Sequence, residues 1–161
     1  MTDDRKIGAP GWIGLVVWIA IVAAAAAFGG QFMPGEWYAG LNKPSWNPPN
    51  WIFGPVWTTL YLMMAIAAWL VWLRRKVQPV YPALAVFVVQ LLLNGAWSWI
   101  FFGLHRIDVA FGEILVLDLL ILVTVLLFWR IRWLAGALLV PYLLWTSFAS
   151  FLNFTIWRLN L

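Results

Sequence analysis

Five apolar runs, each near or above the length needed to cross a bilayer, constrain this chain more than any other feature. They extend roughly from Trp12 to Phe28, Trp51 to Leu73, Val80 to Gly103, Ile107 to Trp129 and Leu134 to Trp157. A helix needs ~20 mostly apolar residues to cross ~30 Å of hydrocarbon. Backbone groups find no water there, so only helices or closed barrels can span, and the ~10-residue alternation of barrel strands is absent. The expected fold class is an all-α membrane protein. It is a single domain over residues 1–161, a five-transmembrane-helix bundle with a long lid-like loop between the first and second helices. Composition agrees, since 10% of residues are charged whereas a soluble domain carries about 25%.

Several function classes are excluded by what is missing. Without cysteine there is no disulfide, thiolate metal site or cysteine nucleophile. The single histidine, His105, cannot build a bis-histidine haem site or a multi-histidine metal site, so no metal is expected. Lys6, Lys43 and Lys76 all fall at helix ends or in loops, which rules out a retinal-type Schiff base inside the bundle. There is no Walker loop, nucleophile elbow or HExxH, and Ser147 and Ser150 have no histidine at usable depth. The net charge of +4 comes from basic residues at the ends of apolar runs, the pattern of membrane topology rather than of nucleic-acid binding.

Arg5, Lys6, Arg74, Arg75, Lys76, Arg130 and Arg132 collect on one side, against Lys43, Arg106 and Arg158 on the other. In a bacterial cell membrane this predicts a multi-pass protein with a cytoplasmic N-terminus. Insertion from the cytoplasm is assumed, so an outer-membrane location stays open. Arg5 and Lys6 ahead of a stretch ending "AAAAAFGG" also have the outline of a secretory signal, and the expectation is that the segment is retained as the first span.

The densest aromatic and proline content lies in a connector rather than in a span. Pro34, Pro44, Pro48 and Pro49 forbid a continuous helix between Gly29 and Asn50, and Pro55 is expected in the opening of the second span. A connector of about twenty residues is long for a compact domain, and such loops are often lids or binding loops. An interfacial aromatic belt is the competing account of Trp37, Trp46 and Trp51. Depth separates the two for other residues. At ~1.5 Å per residue, Trp57 and Trp97 lie ~9 Å below the connector-side surface, Asn94 ~13 Å, Asn153 ~6 Å, Ala149 ~12 Å and Trp145 ~18 Å. Trp57 and Trp145 are too deep for a simple belt, and a lidded pocket is the economical reading.

Glu113 and Asp118 lie inside the fourth span, where carboxylates are costly and are functional candidates by default. Their spacing places them about 140° apart around the helix, so they do not form a same-face acid pair. No basic residue lies at matching depth, which leaves at least one to be protonated or hydrogen-bonded. Gln90 and Asn94 share a face of the third span, as interhelical glue or as ligand contacts. Ala25 with Gly29, and Ala26 with Gly30, are small pairs that allow close packing within or between chains.

Three ordered stretches, "WYAGLNKPSWNPPNWIFGPVWTTLY", "QLLLNGAWSWIFFG" and "LAGALLVPYLLW…LNFTIWRLN", resemble the TspO/MBR family. These are the tryptophan-rich sensory proteins, with the mitochondrial translocator protein, or peripheral benzodiazepine receptor, as mammalian member. The resemblance covers nearly the whole chain. It implies a five-helix bundle, commonly a homodimer, whose pocket is closed by the first long loop. It also implies binding of porphyrins such as protoporphyrin IX, of sterols and of benzodiazepine-type ligands, with no resident cofactor. By that resemblance the ligand-binding positions are Trp46, Pro48, Trp57, Asn94, Trp97, Trp145, Ala149 and Leu152. Trp57 and Trp145 match residues implicated in light-dependent porphyrin breakdown. Lys43 or Arg158 would pair with porphyrin propionates at a wet mouth. Two departures stand out. The sterol motif survives only as Leu152, Phe154 and Arg158, with phenylalanine in place of tyrosine, and the small pair of the third span is Ala85 and Val89.

The expected function is thus a membrane receptor or sensor for porphyrins, acting in tetrapyrrole regulation or stress response. The alternatives are an enzyme that photo-oxidises bound porphyrin, and a porphyrin or sterol transporter. A transporter ranks last because no paired inverted repeat or matched interrupted helices are visible.

Overall fold

The computed structural model describes residues 9–161, with side chains from residue 11 onward, so Arg5 and Lys6 lie outside the described residues. Six α-helices follow one another and no strand intervenes among those residues. Helix α1 spans Ala9–Gly29, α2 Glu36–Gly40, α3 Asn50–Trp72, α4 Tyr81–Ser98, α5 Ile107–Ile131 and α6 Trp133–Leu159. All but α2 are long and apolar enough to cross a membrane, and the protein is a multi-pass membrane protein.

Helix α1 is apolar all round, as suits a helix with lipid on one side and protein on the other. It buries Trp18 and Val22 and exposes Ile13, Val16 and Val17. Its small pair packs within the chain. A Cβ added to Gly29 would meet Ser98 Oγ at 3.4 Å, and one on Gly95 of α4 would meet Phe28 Cδ1 at 3.1 Å. Small residues here let two backbones approach, the usual basis of helix association in lipid. Ala85 and Val89, by contrast, both face outward.

The connector holds no continuous helix, as its prolines require, but it is not wholly irregular. Between Pro34 and Pro44 it forms the short helix α2, with Glu36 in its first turn. Lys43 Nζ closes the other end, donating to the carbonyls of Tyr38 (2.6 Å), Leu41 (2.9 Å) and Ala39 (3.2 Å). A cation there satisfies carbonyls that the helix itself leaves without partners. Helix α3 begins at Asn50, one residue before the expected start, and Pro55 lies at the beginning of its second turn. Helix α4 continues into a π-helical turn, Trp99–Gly103. Such widened turns re-aim the side chains that follow and are frequent at functional sites.

The bundle places α5 between α4 and α6, while α1 packs on α3 and α4 and α3 on α6. The end remote from the connector is filled. Phe87 stacks on Phe128 at 5.7 Å and meets Trp18 edge-on at 5.8 Å, and Met64, Ala68, Val71 and Leu139 are almost fully buried beside them. Lipid tails are as apolar as these side chains, so close packing rather than water exclusion holds this half together. The half nearer the connector is packed differently. It encloses a cavity.

Candidate ligand-binding site

A cavity of about 370 Å³ lies between α1, α3, α4 and α6 at the connector end of the bundle, within the ~300–1,000 Å³ range of small-molecule sites. Its walls follow from helical spacing. Phe53, Trp57 and Tyr61 recur every four residues on one face of α3, and Trp145, Ala149, Leu152 and Ile156 follow the same logic on α6. Helix α4 supplies Asn94, Trp97 and Ser98, and the π-helical turn brings in Phe101 and Phe102. Phe32, Met33, Pro34 and Tyr38 of the connector complete the lining, with Ile114 and Leu117 of α5 at the back.

Aromatic faces dominate. Trp97 stacks on Phe101 at 4.9 Å, Trp57 leans on Tyr61 at 5.3 Å, and Phe53 meets Trp145 edge-on at 5.9 Å. Offset and edge-to-face pairs of this kind hold the rings in fixed orientations. The polar groups are few and mostly held by one another. Tyr61 Oη donates to Asn94 Oδ1 at 2.7 Å, while Trp97 Nε1 donates to Asn153 Oδ1 at 3.1 Å. Asn153 Nδ2 in turn donates to the Ile107 carbonyl at 3.0 Å, tying α4 through α6 to the start of α5. Among the described residues no charged side chain lines the cavity. It suits an apolar body with an occasional hydrogen-bonding group.

Above it, Tyr38 is buried and donates to Asn47 Oδ1 at 3.1 Å. Burial pushes the Tyr38 phenol above its ordinary range, with the bond to Asn47 acting the other way. The connector is also fastened to the end of α6. Asn42 N donates to Asn160 Oδ1 and Asn160 Nδ2 donates back to the Asn42 carbonyl, both at 2.9 Å. Trp37 stacks on His105 at 4.2 Å, and that histidine adopts the left-handed backbone region (φ 56°) between the π-helical turn and α5.

Of the positions singled out from the sequence, Trp57, Asn94, Trp97, Trp145, Ala149 and Leu152 line this one cavity. Trp46 and Pro48 do not. Trp46 lies on the outer flank of α6, stacked on Phe151 at 5.3 Å and edge-on to Phe148 at 5.9 Å. The sterol-motif remnant is divided between faces: Leu152 is buried at the cavity, whereas Phe154 packs outward on Phe111 at 5.2 Å and Arg158 is exposed. Neither Lys43 nor Arg158 reaches the cavity, and Lys43 is engaged in capping α2. Gln90 and Asn94, on one face, have different partners, since Gln90 Oε1 accepts from the buried Tyr142 hydroxyl at 2.9 Å. Asp118 Oδ2 accepts from Ser150 Oγ at 2.7 Å, while both Glu113 oxygens are buried without a hydrogen-bond partner among the described residues. Neither carboxyl lines the cavity.

Sequence reading missed Phe53, Tyr61, Phe101 and Tyr38 as lining residues. The four-residue recurrence with Trp57 was a legible signal for Phe53 and Tyr61. For Phe101, which a π-turn re-aims, and Tyr38, carried by a short helix in a proline-rich loop, no periodic signal exists.

Comparison with known proteins places this arrangement. The model of the TspO/MBR family matches residues 10–158. A tryptophan-rich sensory protein of Cereibacter sphaeroides is 39% identical over 149 residues, covering 92% of each chain. Protein CrtK of Rhodobacter capsulatus is 43% identical over 145 residues, covering 89% of this chain and 91% of that one. The human translocator protein is 38% identical over 157 residues, covering 94% and 93% respectively. With the family model matched across almost the whole five-span bundle, the chain belongs to the TspO/MBR family.

Proposed function

We propose that this protein is a membrane receptor for porphyrins and related flat apolar ligands, which it takes into the cavity beneath the connector. The observation that carries the reading is the lining: Trp57, Trp97 and Trp145 from three different helices, joined by phenylalanines, around a space without charge. A planar macrocycle gains dispersion and stacking from such faces, worth about 0.5–1.5 kcal/mol per aromatic pair beyond area burial. The connector acts as the lid, held shut by the Asn42–Asn160 pair. The name of a relative, tryptophan-rich sensory protein, supports a sensory role, which the porphyrin reading would make one in tetrapyrrole regulation. The protein works as a homodimer with a cytoplasmic N-terminus. The outward Ala85–Val89 face of α4 is the seam to test, since a Val89→Cys variant would cross-link to a dimer in membranes if it is correct and remain monomeric if it is not.

The test of binding is a dark titration with protoporphyrin IX, followed by tryptophan fluorescence. Saturable quenching by the wild type, weakened in a Trp57→Phe/Trp145→Phe variant, is the expected result. Linear quenching, identical in both, would mean partition into detergent and would end the porphyrin reading. A second reading, light-driven breakdown of the bound macrocycle, is favoured by the fact that both indoles line the cavity. Illumination of the same samples decides it, through a new absorbing product in the wild type that is lost in the variant.

A further inference from the structure

The cavity has a mouth, and its position says how a ligand reaches it. The lining residues from α4, α5, α6 and the π-helical turn are buried or half-buried; Asn94, Phe101, Ile114, Leu117, Thr146 and Asn153 are each at most 5% exposed. The exposed ones are Gly30, Met33, Pro34, Asn50 and Gly54. All five belong to the end of α1 with the chain leaving it, or to the start of α3. The opening therefore lies in the seam between α1 and α3, on the side of the bundle rather than under α2.

Packing along the other seams agrees. Toward α4, Gly29 and Gly95 bring the α1 and α4 backbones together, with Phe28 filling the gap. Toward α6, Phe53 lies against Trp145, and Trp57 lies edge-on to Tyr142 at 6.2 Å. The α1–α3 seam itself is closed at its far end. There Trp69 Nε1 donates to the Gly11 carbonyl at 2.7 Å, Trp12 stacks on Trp69 at 6.0 Å, and the Trp72 ring occupies the space a Gly14 side chain would need. At the mouth the α3 side of this seam faces open space. A Cβ on Gly54 would touch nothing within 4 Å.

Gly54 is four residues into α3, so the mouth sits roughly 6 Å along the span from the start of that helix, at the boundary of headgroups and acyl chains. We infer that the α1–α3 mouth is a lateral entrance through which an amphiphilic, planar ligand passes from the bilayer interface into the cavity. The apolar body enters between Gly30 and Gly54, while its carboxylates, for which the cavity holds no cation, stay at the mouth among headgroups and water. The inference rests on the porphyrin reading for its ligand and goes beyond it in naming the route and the orientation.

The test measures rates in lipid nanodiscs by stopped-flow tryptophan quenching with protoporphyrin IX. It compares the wild type, Gly54→Leu and Asn42→Ala/Asn160→Ala. Leucine at an exposed helical glycine favours the helix, so the first variant is expected to fold. A narrowed mouth lowers the association and dissociation rate constants together, by about tenfold, whereas a side chain that intrudes on the bound ligand raises dissociation. Wild-type rates in Gly54→Leu with faster exchange in the asparagine variant would overturn the lateral route in favour of passage under the connector. Faster dissociation in Gly54→Leu with unchanged association would overturn it as well. Absence of saturable quenching in the wild type is a failure of the porphyrin reading. The mouth then stands or falls on Gly54→Cys, the sole cysteine of that variant. Labelling by a bilayer-partitioning maleimide but not by a charged, water-confined one supports a lateral opening, and equal labelling by both refutes it.

Discussion

At the scale of single residues, the site depends on a few hydrogen bonds that fix large aromatic rings. Asn153 accepts from Trp97 Nε1 and donates to the Ile107 carbonyl, so one buried amide sets both an indole and a helix start. Replacing it by leucine leaves the half-buried Trp97 N–H without its partner and removes the tie to the Ile107 carbonyl, a cost of about 1 kcal/mol or more. Asn153→Leu should lower the thermal midpoint in detergent and alter near-ultraviolet dichroism through Trp97. An unchanged midpoint would show that the relay is not structural. Two tryptophans make a sharper comparison. Trp145 faces the cavity and Trp46 lies on the flank of α6 against Phe151. Loss of an aromatic contact costs about tenfold in affinity at the upper end. Trp145→Ala should approach that figure for protoporphyrin IX and Trp46→Ala should fall clearly short of it. Equal losses would mean that the connector tryptophan reaches the ligand.

At the scale of elements, the connector is the informative one. Its prolines break it, yet α2 forms because Lys43 caps the carbonyls at its end and Tyr38 anchors it in a small aromatic cluster with Phe101 and Phe102. The Asn42–Asn160 bonds then fasten it to α6. Each such bond contributes about 0.5–1.5 kcal/mol net, so removing both is worth roughly tenfold in a local opening equilibrium. Amide hydrogen exchange over residues 36–42 should accelerate by about that factor in Asn42→Ala/Asn160→Ala, with α5 unaffected. Exchange unchanged in the connector would show that the aromatic cluster alone holds it.

At the scale of the molecule, the protein is solid at one end and hollow at the other, and the charges differ accordingly. Among the described residues Arg74, Arg75, Lys76, Arg130 and Arg132 lie at the filled end, while Lys43, Arg106 and Arg158 lie at the cavity end. The excess at the filled end predicts that it is cytoplasmic. In a bacterial cell membrane, Ser45→Cys should react with an impermeant maleimide in intact cells, and Lys76→Cys only after permeabilisation. The reverse pattern would invert the topology.

That five helices cross a membrane was legible in the amino-acid order alone, because run length against bilayer thickness leaves no other spanning form. The same order also placed Trp57, Asn94, Trp97 and Trp145 at related depths, since rise per residue converts position into depth without knowledge of neighbours. Which way those side chains point around the helix axes, and which helices adjoin, depends on packing between segments far apart in the chain. Packing between distant segments is therefore what turns Trp46 to the flank, brings Tyr38 and Phe101 into the lining, and closes one seam at Gly29 while Gly54 faces open space.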